Sequence, residues 1–169
     1  MQKEARVAID IFLKIDGIEG ESTDDKHSNE IAIVSYAWGE AQAGPAGGAG
    51  GGGGGAGKVV MQDFHFSMLV NKASPKLFVA CAKGEHFRSA VLTVRHPGAS
   101  RTEFLKWRFT DVLISSYQTA GEVATGSLPA DHASLRFGRI EVEYSPLKPD
   151  GSLGTPVSAG WDGNTNKPV

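Results

Sequence analysis

The chain has 169 residues, 40% of them hydrophobic, and a formal net charge of −2, which suits one globular domain, residues 1–169, with enough chain for a core. A near-balanced charge excludes a general nucleic-acid binder, which needs a basic stripe, and it gives no polybasic attraction to a membrane; no apolar run nears the roughly 20 residues that span a bilayer. The single cysteine excludes an internal disulfide framework, and the opening MQKEAR has no apolar stretch of the kind a secretory signal carries, so by these facts alone the expectation is cytoplasmic.

The first predicted strand covers 7–15. Val7, Ile9, Ile11, Leu13 and Ile15 alternate with Ala8, Asp10, Phe12, Lys14 and Asp16, and period two over nine residues describes a half-buried strand. A charged loop follows, and then a strand over 30–38 with apolar residues on both faces: Ile31 and Ile33 on one, Val34, Tyr36 and Trp38 on the other. Residues 44–57 hold ten glycines. Such a segment has nothing to bury and loses maximal entropy on ordering, so the expectation is mobility unless a partner fixes it.

Further strands are expected at 59–69, 87–96, 102–109, 111–119 and 133–144. Val60, Phe64, Phe66 and Met68 share a face, as do Ala90, Leu92 and Val94, and Leu105, Trp107 and Phe109. Parity slips between Phe137 and Ile140, which places a β-bulge at Gly138. One helix interrupts the strands: Ser74 can cap it, Pro75 fits its first position and Gly84 can end it, with Leu77, Phe78 and Cys81 on one face. Residues 146–169 read as a loop-rich tail with a turn at Pro149-Asp150-Gly151. Many strands and one short α-helix predict a mainly β fold, a small antiparallel β-barrel or sandwich with long loops.

Catalytic and cofactor motifs find little footing. Gly52 to Lys58 matches the G-x-x-x-x-G-K part of a phosphate-binding loop, but Val59 stands where Ser or Thr would meet magnesium, and a strand follows where a helix is needed. His27, His65, His86, His96 and His132 are scattered, with no zinc spacing. Cys81 lies on the apolar helix face and reads as a small core hydrophobe rather than the nucleophile of a pair with His86. Asp16, Glu19, Glu21, Asp24 and Asp25 lack calcium-loop spacing. No catalytic residue, cofactor or metal is therefore expected. Trp38, Trp107 and Trp161 suit either a core or a subunit contact. On these residues alone, the chain is a binding or structural module.

Blocks of sequence in order along the chain make a sharper statement. Asp10-Ile11-Phe12-Leu13-Lys14-Ile15, Gly20-Glu21-Ser22, Asp25-Lys26-His27 and Trp38-Gly39 resemble the amino-terminal signature of the haemolysin-coregulated proteins (Hcp), the tube subunits of bacterial type VI secretion. Gly55-Ala56-Gly57-Lys58, Gln62-Asp63-Phe64, Ser74-Pro75-Lys76-Leu77, Ala80-Cys81, Leu92-Thr93-Val94-Arg95 and Gly160-Trp161 extend the resemblance over nearly the whole chain. It departs in about five extra residues at the start and in the long glycine run. The resemblance implies a β-barrel with one helix and no enzymatic activity. It also implies homohexameric rings that stack into a hollow tube, expelled with a spike protein by a contractile sheath and able to carry small effectors in its lumen. It further implies export from the bacterial cytoplasm without a signal peptide, with no membrane insertion and no nucleic acid. On this reading the candidates for ring and tube contacts are Ser22, Asp24, Asp25, His27, Tyr36, Trp38, Lys58 and Trp161, and those for the lumen are Ser35 and Ala37. The Gly-rich and acidic loops are long enough to reach another ring. The alternative is a free-standing β-barrel that binds a small ligand or carbohydrate.

Overall fold

A computed structural model describes residues 9–42, 58–97, 101–123 and 126–169. The expectations for Val7, Ala8 and the glycine run lie outside these residues. The fold is mainly β, with strands β1 (Asp10–Ile15), β2 (Ile31–Ala32), β3 (Ser35–Ala37), β4 (Glu40–Gln42), β5 (Val59–Met61), β6 (Phe64–Leu69), β7 (His86–Arg95), β8 (Glu103–Ala120), β9 (Ala130–Tyr144), β10 (Val157–Asp162) and β11 (Lys167–Pro168), and with helix α1 (Ser74–Lys83).

All the pairings are antiparallel, and β8 and β9 form the spine. Along its other edge β9 is shared: its first half pairs with β6 and its second half with β10. From β8 the sheet continues through β7 and β1 to β2, while β6 pairs onward with β3. Because β2 and β3 belong to one run of chain, the sheet curls back on itself, but the ladder does not close. At the break, Ile33 N–H donates to the Ile11 carbonyl (2.9 Å) and Val34 N–H to the Ser67 carbonyl (2.8 Å). The strand expected over 30–38 is thus two short strands, one for each side of the seam. The strand expected over 59–69 also divides. β5 leaves the sheet to pair with β4, which leaves Val60 56% exposed while Phe64, Phe66 and Met68 are buried.

The core lies inside the curl. Leu13, Ile31, Phe64, Leu92, Val112 and Leu135 are inaccessible to solvent, and each such side chain contributes roughly 1.5–3 kcal/mol by leaving water. The strands expected at 102–109 and 111–119 are one strand, β8. Its parity slips at Asp111, where φ is +55°, and that of β9 slips at the facing Gly138, so the register stays unbroken from Thr110–Arg139 to Val112–Phe137. Phe109 and Ile140 above this kink and Val112 and Ile114 below it all face the core. The one-residue register shift expected at Gly138 occurs instead between Ile114 and Ser116.

Helix α1 covers one end of the curl. Ser74 is not its cap: Ala73 is, with no side-chain bond, while the Ser74 hydroxyl accepts the Asn71 N–H at 3.0 Å. Gly84 ends the helix with φ +63°, the left-handed turn that glycine suits. The buried face is Ser74, Leu77 and Ala80. Phe78, expected inside, is 58% exposed and lies against the Tyr117 ring, with centroids 6.2 Å apart. Cys81 is half-buried and packs against the core. The tail is less loop-rich than its sequence predicts. β10 pairs with β9 from Val157–Tyr144 to Asp162–Arg139, its short period having been masked by Ser158 and Gly160.

Candidate functional site

The acidic loop between β1 and β2 is folded down onto the sheet. At its base Gly20 N–H donates to the Asn29 carbonyl (2.8 Å) and Ser22 N–H to the Glu30 carbonyl (3.0 Å). A Cβ on Gly20 would stand 2.4 Å from the Glu30 oxygen, so only glycine allows this crossing. Arg95 of β7, with 4% of its surface exposed, pins the middle of the loop. Its Nη1 and Nη2 donate to the two Asp24 oxygens (3.0 and 2.5 Å), and its Nε donates to Asp10 Oδ2 (3.1 Å). These hydrogen bonds hold the Asp24 carboxyl far below the usual carboxylate range, against an opposing effect of burial, and raise Arg95 in turn.

His27 is also turned inward, 5% exposed and stacked on Phe12 with centroids 4.3 Å apart. The Arg95 guanidinium carbon lies 4.9 Å from the same ring. This explains why Phe12, on the expected solvent face of β1, is only 7% exposed: the charged loop supplies its cover. The five carboxylates considered for calcium do not converge. Asp24 pairs with Arg95, Asp25 with Arg101 (2.6 Å) and Glu19 with Lys72 (3.3 Å), while Glu21 accepts the Lys72 backbone N–H (3.0 Å).

Trp38 and Trp161 meet elsewhere, with Trp107, around an open depression of about 370 Å³ completed by Glu40, Ile140, Val142, Ala159 and Gly160. Trp38 Nε1 donates to the Gln62 carbonyl (3.0 Å), whereas the indole nitrogens of Trp107 and Trp161 are buried without a partner. The depression belongs to a larger apolar face. In register across β8, β9 and β10 run Phe109–Ile140–Trp161, Trp107–Val142–Ala159 and Leu105–Tyr144–Val157. In the first row Phe109 and Ile140 are in the core and Trp161 is half-buried against it; in the last, Tyr144 is 46% and Val157 67% exposed. The opposite face is charged, with Arg108–Glu143 at 3.4 Å and Arg139–Glu141 at 2.9 Å.

Ser35 and Ala37 are exposed on the outer side of β3, at a second depression of about 360 Å³ that also takes in His65, Ser67, Ser116, Gln118 and His132. Their rows run Ser35–Ser67–His132–Gln118 and Ala37–His65–Ser134–Ser116. The wall is hydroxyl-rich: Ser35 Oγ lies 2.6 Å from Ser67 Oγ. Tyr36 instead points inward, stacked on Phe64 at 5.5 Å. Lys58 stands exposed and apart, and the strand β5 begins directly after it, where a phosphate-binding loop needs the start of a helix.

The sequence alone assigns no site role to Arg95, Glu103 or the row partners Val142, Tyr144 and Val157. The one visible signal was an arginine directly after the apolar run Ala90-Val91-Leu92-Thr93-Val94.

With this geometry in hand, residues 12–144 match the protein-family model described as "Type VI secretion system effector, Hcp". Over 158 residues the chain is 40% identical to Protein hcp1 of Pseudomonas aeruginosa PAO1, covering 92% of this chain and 96% of that protein. The crystal structure of Hcp1 from Salmonella typhimurium is similar with a TM-score of 0.78 at 33% identity, over 96% of this chain and 99% of that one. A structure described as that of a type six secretion system protein reaches 0.89 at 30% identity, over 96% and 100%.

Proposed function

Because the chain belongs to the Hcp family of type VI secretion proteins, we propose that it is a structural subunit of the system's inner tube, forming hexameric rings that stack into a hollow tube. Sheath contraction drives this tube out of the bacterium behind its spike protein, and small effectors travel in the lumen. The role is mechanical and binding, with no catalytic step. The subunit leaves the cytoplasm as cargo of the machine itself.

The observation that carries this reading is the apolar inner face of β8–β9–β10 running out past the core to Tyr144 and Val157. An apolar sheet face left half-open calls for a neighbour. A head-to-tail ring needs two different surfaces that fit each other. The open apolar face supplies one. The pinned acidic loop, with Ser22 half-buried and Asp25 exposed at its rim, supplies a rigid element for a ring or tube contact. The rows around Ser35 and Ala37, lined by hydroxyls and imidazoles, suit a lumen wall along which cargo slides. Mass photometry and negative-stain electron microscopy of the purified chain test the reading. A closed ring of six subunits is the expected outcome. A strict monomer at roughly tens of micromolar, a concentration far above the dissociation constant of a specific interface, overturns it.

A further inference from the structure

We propose that His27 is a proton-operated latch on the acidic loop: its imidazolium ties Glu30 in the loop to Glu103 at the start of β8, and loss of one ring proton loosens the loop. Nδ1 lies 2.8 Å from Glu30 Oε2, and Nε2, buried and without a hydrogen-bond partner, lies 3.3 Å from Glu103 Oε1, a charge contact rather than an aligned hydrogen bond. Both ring nitrogens thus face carboxylates. A neutral imidazole carries one N–H and one lone pair. With its N–H given to Glu30, its lone pair confronts Glu103 at a buried position. With the other tautomer, Glu30 loses its donor. Only the doubly protonated ring turns a positive N–H edge toward each carboxylate, and the Phe12 face beneath it favours a cation.

The charges around the ring come from each element packed on it. The loop brings Asp24, Asp25 and Lys26, β1 brings Asp10, and β7 brings Arg95 with Arg101 just beyond it. β8 brings Glu103 and Lys106, whose Nζ takes the second Glu103 oxygen at 2.7 Å. None of these residue types ordinarily titrates between about pH 5.5 and 8, whereas histidine does. Burial pushes Glu103 up, but the bond and charge of Lys106, with His27 and Lys26, outweigh it and leave Glu103 below its usual value. It therefore stays an acceptor through that window. His96, stacked on Phe104 at 4.2 Å, is a second imidazole nearby and serves as the control. The sign follows from the donor count: the latch holds while His27 is protonated and releases as pH rises through its titration. If the loop is a ring contact, a step that rests on the tube reading, rings and tubes tighten in mild acid.

Amide hydrogen exchange of residues 22–30 in the full chain, corrected for the chemical rate at each pH, tests the latch without requiring a ring. From about pH 5.5 to 8, protection in the wild type and in His96→Gln falls on the order of tenfold, and in His27→Gln it is low and flat. Glu103→Gln removes the second carboxylate and keeps a shallower slope. Wild-type protection that ignores pH, or an undiminished slope in His27→Gln, overturns the proposal. Should His27→Gln fail to fold, an undiminished slope in Glu103→Gln overturns it. A pH-responsive loop in a chain that forms no ring at any pH would sink the tube reading and leave the latch standing.

Discussion

Asp131 is fully buried on the core side of β9, where its carboxylate meets the Tyr117 phenol but forms no well-aligned hydrogen bond. Its register neighbours are Met68 on β6 and Thr119 on β8. Beside it, burial first and the Asp131 carboxylate second push the Tyr117 phenol up. A buried carboxylate so poorly partnered forfeits its hydration for little in return. Asp131→Asn keeps the shape and removes the charge, so a gain of about 1–3 kcal/mol, read as a higher melting temperature, is expected. A lower one would mean that the carboxylate has a partner in solution. Gly20→Ala should act the other way. Its new Cβ meets the Glu30 carbonyl and the Ile31 Cα at 2.4 and 2.7 Å, backbone atoms that cannot swing aside, so a loss of about 1–3 kcal/mol or more is expected in denaturant titration. Neither position announces itself in sequence. Asp131 stands in an ordinary polar-apolar alternation, and Gly20 looks like any loop glycine until the chain that crosses it is known.

At the scale of elements, the acidic loop behaves as a third layer clipped onto β1 and β7 rather than as a solvated excursion. Arg95→Met removes the clip and leaves the largely buried Asp24 carboxylate with the Lys26 and His27 backbone N–H groups and the more distant Arg101. A loss of about 3 kcal/mol is expected, together with faster proteolysis within 20–30. Acid should act on the same contact. Asp24 is held far below its unfolded value by Arg95, Asp150 is lowered by the Ser152 hydroxyl, and Asp162 is lowered by the Thr165 backbone N–H. Their contributions are complete above the unfolded carboxylate range, about pH 4, and are lost as pH falls through the lower folded values. The melting temperature should therefore drop below about pH 4, and drop less steeply in Arg95→Met. Strands with clean alternation, such as β1, β6 and β7, were legible because one face met the core. What stayed hidden was set by long-range partners. The cover over Phe12 comes from His27 and Arg95. The strand character of 157–162 depends on β9. The continuity of β8 through Asp111 depends on Gly138 yielding at the same rung.

For the whole molecule, the decisive surface is the uncovered end of the β8–β9–β10 face. Val157→Asp places a charge where 67% of the side chain already meets solvent, so the isolated fold should lose no more than about 0.5 kcal/mol. Ring formation, if it uses this face, should fall by at least about tenfold, since burying an unpaired charge costs more than 1.4 kcal/mol. Mass photometry beside a thermal melt separates the two effects, and rings that persist unchanged would place the subunit contact elsewhere. The β8–β9 ladder, unbroken in its pairing through the kink and shifted only near Ser115, has a mechanical side as well. Antiparallel hydrogen bonds lie perpendicular to their strands. A pull along this pair therefore loads many of them at once in shear, and the hairpin resists as one body. Between β2 and β3 there is no ladder to load: the chain itself joins the two sides, with the Ile33 N–H held to β1 and the Val34 N–H held to β6. The subunit is stiff along its spine and bends first at its seam.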